Sequence, residues 1–263
     1  MKQLCLLFVL ITLISCQGQN QDLNTKTVKT DSVKTTQKQP NKIELYTNKN
    51  QDNGLPSKSN GTVGNGSLTN GKLFPFNGTN FHYFDSTSYL SDRAFVNDKV
   101  KLAVLETYTE MKNELPDQEF CIMECSNKTG GKIFPHRTHQ NGLSVDFMMP
   151  LIQDQKPYYG LDSIGQKHYL LVFDDSGKYL DNKNISVNFD LVAKHILILN
   201  QQAIKHKLRI SKVIIKVEFK DELFSTPNGQ KLKNSTIYIT KQLDPLINSL
   251  HDDHYHVDFE EVN

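Results

Sequence analysis

The sequence predicts an α+β domain on a mainly antiparallel central sheet with flanking helices, and three observations carry that expectation. Two long segments place apolar residues at helical spacing. Several shorter segments alternate, or run apolar, in the manner of strands. The two kinds mix without a regular strand-helix-strand rhythm, which disfavours a doubly wound parallel sheet. No internal repeat is present.

The chain opens with Met1-Lys2 and an apolar run of eleven residues from Leu4 to Ile14. A helix needs about 20 apolar residues to cross a bilayer, so the run is too short for a permanent span and has the length of a signal-peptide core. It ends Leu13-Ile14-Ser15-Cys16, which resembles the lipobox of bacterial lipoproteins. That resemblance implies removal of residues 1–15 and acylation of the Cys16 thiol. The chain would then be anchored to a membrane of the bacterial envelope, facing the periplasm. Residues 17–65 hold only eight hydrophobic side chains and show no helical or strand period. Such a segment buries too little apolar surface to offset its ordering entropy, so residues 16–65 are expected to form a disordered tether. The folded domain is expected over 66–263.

Within it the spacing predicts a helix over 97–115, where Val100, Val104, Tyr108, Met111 and Leu115 form one stripe that stops before Pro116. Strands are predicted over 119–124, 143–149 and 168–173. A second helix over 188–207 carries Val192, His195 or Ile196, Leu199 and Ala203 on one face. Val213, Ile215, Val217 and Phe219 read as a half-buried strand, and residues 254–259 as a last one.

Charge narrows the function classes. The 30 Lys and Arg nearly cancel the 29 Asp and Glu, and the excess of positive charge lies in residues 17–65, ahead of a slightly acidic body. That distribution has no footprint for nucleic acid. Four cysteines are too few for a disulfide scaffold, and no CxxC pair is present. Cys121 and Cys125, four apart on an expected strand, read as free or loosely paired thiols rather than zinc ligands.

Five of the nine histidines fall in two clusters, HRTHQNGLSVD over 136–146 and HDDHYH over 251–256. On a strand, His254 and His256 share a face while Tyr255 turns away, and two imidazoles about 7 Å apart at their Cα atoms can face one ion. His139 and Asp146 are seven apart, and Gly142 between them permits a turn that brings both to one point. Two imidazoles and a carboxylate suit a catalytic zinc with an open position for water. By pattern alone, solvated surface histidines explain these clusters equally well.

Gly66-Ser67-Leu68-Thr69-Asn70-Gly71, then Gly130-Gly131, then HRTHQNGLSVDF and the closing HDDHYHVDF are similar to the penicillin-insensitive murein endopeptidases. That family sits in the wider group of lysostaphin, D-alanyl-D-alanine metallopeptidases and the hedgehog domain. The likeness spans residue 66 to the C-terminus. It implies that His139, Asp146 and His256 bind Zn2+, that His254 is the catalytic base, and that His251 is a further active-site histidine. It also implies that His136 is an extra histidine beside the metal, orienting or contacting it. Asp252 and Asp253 would orient ligands or merely cap and solvate a loop. Arg137 would contact a stem-peptide carboxylate or remain a solvated charge. His82, His168, His195 and His206 are expected to be structural or surface residues.

The implied activity is hydrolysis of D-alanyl–diaminopimelyl cross-links in peptidoglycan by a metal-activated water. A D,D- or L,D-carboxypeptidase of the same group and a non-catalytic zinc-containing peptidoglycan-binding module remain open alternatives. The chain has no Ser-x-x-Lys, Gly-x-Ser-x-Gly or His-Glu-x-x-His, so acyl-serine and thermolysin-like sites are not expected.

Overall fold

Five strands form the central sheet, in the order Leu208–Ile214, His254–Glu261, Ser144–Met148, Phe120–Ile122, Phe81–Tyr83. Neighbours are antiparallel except the last pair, which is parallel. The fold of this computed structural model, which describes residues 40–262, is therefore α+β on a mainly antiparallel sheet. The expected signal peptide, Cys16 and the first part of the expected tether lie outside the described residues. Among the described residues no helix is long and apolar enough to cross a membrane.

The alternation of side chains gives this sheet two different faces. Along His254–Glu261, Tyr255, Val257 and Phe259 are buried on one side, while His254, His256 and Asp258 occupy the other. The neighbouring strand has the same division: Tyr255 stands opposite Phe147 and Val257 opposite Val145, whereas His256 stands opposite Asp146 and Asp258 opposite Ser144. The apolar face is the core. Phe147 and Tyr255 stack at 5.5 Å between ring centroids, and His195 of the helix Phe189–Lys205 packs edge-on against both. Each of these apolar side chains contributes about 1.5–3 kcal/mol by leaving water.

The two long helices lie close to where periodicity puts them. Asn97 caps Asp98–Glu114, its side chain accepting from the Lys99 N–H, and the buried stripe holds Val100, Val104, Tyr108 and Met111. Asn188 caps Phe189–Lys205 through the Leu191 N–H, and Val192, Ile196, Leu199 and Ala203 are buried. Tyr108 and His195 bring the two helices together, their rings 5.5 Å apart.

Three expectations need correction. Order begins well before residue 66. A helix spans Lys42–Lys49, started by a reciprocal cap between Asn41 and Glu44, and its Tyr46 packs edge-on against Tyr89. Lys58–Thr62 then pairs with Asn65–Thr69 as a hairpin. Few apolar residues are needed here because backbone pairing and a buried lysine do the holding: Lys72 donates to Asp52, Asn53 and the Leu55 carbonyl. The strand expected over 168–173 is a 3₁₀-helix, Gly165–Leu170, since a short apolar run does not by itself distinguish the two. The strand expected from Val213 to Phe219 instead spans Leu208–Ile214, and Phe219 opens the helix Phe219–Ser225. Beyond Ile214 the backbone leaves the sheet. The Lys216 N–H donates to the His251 carbonyl and the Val217 N–H to the Asn248 side chain.

Candidate active site and metal centre

The polar face of the sheet receives His139 from a loop that the sequence constrains tightly. His139 has φ of +66°, a left-handed conformation that costs a β-carbon-bearing residue about 1 kcal/mol or more. The buried Ser126 hydroxyl secures it, donating to the His139 carbonyl and accepting from the Gly142 N–H. Gly142 itself has φ of +78°, and a Cβ there would lie 2.8 Å from the Asn97 backbone nitrogen, so this turn requires glycine. The hairpin supports the loop from outside, with the Val63 carbonyl accepting from the Gln140 N–H.

Asp146 and His256 arrive from paired strands and meet His139 at close range. His256 Nδ1 is 2.8 Å from Asp146 Oδ1 and 3.1 Å from His139 Nε2, and the remaining edge, His139 to Asp146, is 3.2 Å. All three side chains are buried. Tetrahedral zinc ligands at 2.0–2.2 Å from the ion stand about 3.3 Å from one another, so this triangle fits a metal of that size with little adjustment. Asp146 Oδ2 and His139 Nδ1 have no hydrogen-bond partner among the described residues. His136, His139 and Asp146 also offer ligand atoms within 4.8 Å of one another. The half-buried His136 has its Nε2 2.6 Å from the buried Glu124 carboxylate, its Nδ1 3.6 Å from Asp146 Oδ2 and its ring 4.7 Å from that of His139.

Without an ion, the electrostatics favour an ion pair between Asp146 and His256, whose Nδ1 proton a metal would have to displace. Burial works against a charge on Asp146, yet His139 and His256 outweigh it and hold the carboxyl well below its usual range. Burial also opposes protonation of His256, but Asp258, 2.6 Å from Nε2, and Asp146 lift its value to about 10. His139 is pushed down by burial.

The closing cluster divides by role. His254 Nδ1 lies 2.6 Å from Asp253 Oδ1, and although burial disfavours its charge, Asp253 raises its affinity for a proton. The His251 ring is 4.9 Å from that of His254, its Nδ1 is 2.6 Å from the Ile247 carbonyl oxygen, and burial lowers its value to about 3. Asp253 thus orients a histidine. Asp252 accepts from the Phe173 N–H and ties down a loop. Arg137 is exposed, with no ion pair among the described residues. His168 is a structural clasp, with Nδ1 3.3 Å from the Leu161 carbonyl and Nε2 3.2 Å from that of Asp253. Cys121 and Cys125 are free, buried thiols.

A cavity of about 830 Å³ opens over this face, and His136, Arg137, His251, His254 and His256 all line it. Glu124, Arg93 and Tyr169 line it as well, and none of these was expected from the sequence. Glu124 is buried and accepts from Ser88 and Arg93 besides meeting His136. No local spacing announces it, because it reaches the site through the pairing of its backbone with Asp146. Asp258 had a readable signal, standing two residues after His256 on the same strand face.

A buried pair of imidazoles and a carboxylate beneath a cavity, with a carboxylate-oriented histidine beside them, is an arrangement suited to hydrolysis. Comparison with curated proteins returned no match. The family model described as penicillin-insensitive murein endopeptidase matches residues 59–261, from the hairpin to the end of the last strand. The chain belongs to the penicillin-insensitive murein endopeptidase family and is a peptidoglycan-hydrolysing peptidase.

Proposed function

We propose that this protein is a zinc-dependent endopeptidase that cuts the D-alanyl–diaminopimelyl amide cross-link of murein. The observation that carries the reading is the buried triangle of His139 Nε2, Asp146 Oδ1 and His256 Nδ1, with edges of 2.8 to 3.2 Å, of which His256 lines the cavity. These three residues would hold the ion, with Asp258 fixing the His256 ring from behind. Bound there, zinc would supply a water of pKa near 7 and polarise the scissile carbonyl.

The chain's own groups account for the rest. Asp253 engages Nδ1 of His254, which leaves Nε2 to take the proton of the attacking water and return it to the departing amine. His136, held by Glu124, and His251, its ring 4.9 Å from that of His254, both line the cavity. Arg137 is free to bind a stem-peptide carboxylate with its planar fork. Acylation at Cys16 would anchor the protein at a membrane of the bacterial envelope, facing the periplasm. Family membership supports peptidoglycan stem peptides as the partner, and the near-balanced charge offers no footprint for nucleic acid.

Digestion of purified sacculi, followed by separation of the muropeptides, tests this. The expected result is loss of cross-linked dimers with a matching rise in monomers, abolished by a chelator and restored by zinc. Shortened stems without dimer loss would point to a carboxypeptidase. An unchanged profile would leave a binding module.

A further inference from the structure

Tyr169 is a polar residue at this cavity that the chemistry above does not use. It sits near the end of the 3₁₀-helix Gly165–Leu170. The preceding residue, His168, fastens that helix to the Asp253 backbone, so Tyr169 is fixed relative to the Asp253–His254 pair. Its ring is held edge-on from two sides, by His254 at 5.7 Å and Phe84 at 5.5 Å between centroids. Its hydroxyl oxygen is buried, yet has no hydrogen-bond partner among the described residues. A buried hydroxyl left unpaired costs about 1–3 kcal/mol, and a phenylalanine would make both ring contacts without that cost. Packing therefore accounts for the ring and not for the oxygen.

The surroundings define what that oxygen can do. Glu124 is already engaged by Ser88, Arg93 and His136, and Asp253 Oδ1 by His254, while Asp253 Oδ2 and Asp146 Oδ2 are unpartnered among the described residues but make no hydrogen bond to the phenol. Burial, reinforced by Glu124 and Asp146, raises the phenol far above its usual value, so the hydroxyl keeps its proton at any pH at which the protein works. It is a donor without a hydrogen-bond partner among the described residues, buried within a side chain that lines the cavity beside the histidine that would serve as base.

We propose that the Tyr169 hydroxyl is the oxyanion donor of this site, hydrogen-bonding the scissile carbonyl oxygen as negative charge develops on it. The inference rests on the endopeptidase reading above. The water oxygen bonds to the carbonyl carbon, the C=O π pair moves onto oxygen, and His254 receives the water's proton. Collapse re-forms the carbonyl and breaks the C–N bond, and the proton passes from His254 to the leaving nitrogen. Tyr169 keeps its own proton throughout and stabilises the charge that appears and disappears.

Tyr169→Phe tests this on a cross-linked muropeptide dimer and on a phosphinate analogue of the same bond, whose tetrahedral oxygens stand in for the oxyanion. The variant is expected to keep its metal content and a melting temperature equal to or above that of the parent. Its kcat should fall about 100- to 1,000-fold with KM within about twofold, and calorimetry should find phosphinate binding at least about tenfold weaker. Unchanged kcat and phosphinate affinity in the variant, with an active parent, would overturn this inference alone. Loss of metal or of melting temperature alongside activity would also overturn it, by making Tyr169 architectural. A metal-loaded parent inert on the dimer would overturn the endopeptidase reading and this inference together.

Discussion

Asp258 stands directly behind His256: its Oδ1 is 2.6 Å from His256 Nε2, on the side of the ring away from the 2.8 Å contact between Nδ1 and Asp146. The two residues share one strand face because they are two apart, and Ser144 and Lys212 hold the Asp258 carboxylate in turn. One strand thus carries a candidate ligand and the group that sets its tautomer. Asp258→Asn should weaken zinc binding about 10- to 100-fold while leaving the fold intact, as read by competition with a chromophoric chelator. Unaltered affinity would mean that the His256 ring needs no such support.

His254 and His256 differ in what they face, although they share the polar side of the strand. His254→Ala should retain the metal and lose hydrolysis by at least about 100-fold. His256→Ala should lose both. Elemental analysis alongside a muropeptide assay separates the two, and metal loss in His254→Ala would make it a ligand instead of a base.

The hairpin Lys58–Thr62 with Asn65–Thr69 reaches the site through the Val63 carbonyl, which holds the His139 loop at Gln140. A chain starting at residue 66 should therefore melt lower than the full chain and bind zinc more weakly. Equal melting temperatures and metal content would make the hairpin dispensable.

His195 supplies a pH test away from the site. Burial pulls its value from the usual 6.5 down to about 3, so below pH 6.5 the unfolded chain takes up a proton that the folded one refuses. Stability should fall as pH drops from about 6.5 toward 3, by up to about 1.4 kcal/mol per pH unit from this residue. His195→Asn keeps a polar atom near Nδ1 for the Tyr255 hydroxyl, 2.8 Å away in the parent, and removes the titration. Urea unfolding at pH 7 and pH 5 should show the variant losing about 2 kcal/mol less than the parent. His251, also depressed to about 3, leaves the variant a residual slope. Identical losses would contradict the assignment.

Residue-level legibility followed interaction range. The shared face of His254 and His256, the turn at Gly142 and both long helices were readable because period and turn chemistry are local. The pairing of His256 with Asp146 is a matter of strand register, which residues more than a hundred positions apart do not announce. Glu124 and Tyr169 stayed hidden for the same reason. The 16–65 segment misled because composition measures apolar burial, whereas the Asn41–Glu44 cap, the Lys72 hydrogen bonds and a five-pair hairpin hold its described part by polar contacts.

Anomalous scattering at the zinc edge, from crystals of the zinc-loaded protein, tests the ligand set most directly. The geometry predicts one peak about 2.0–2.2 Å from His139 Nε2, Asp146 Oδ1 and His256 Nδ1 together. A peak held by His136, His139 and Asp146 without His256, or no peak on this face of the sheet, would contradict it.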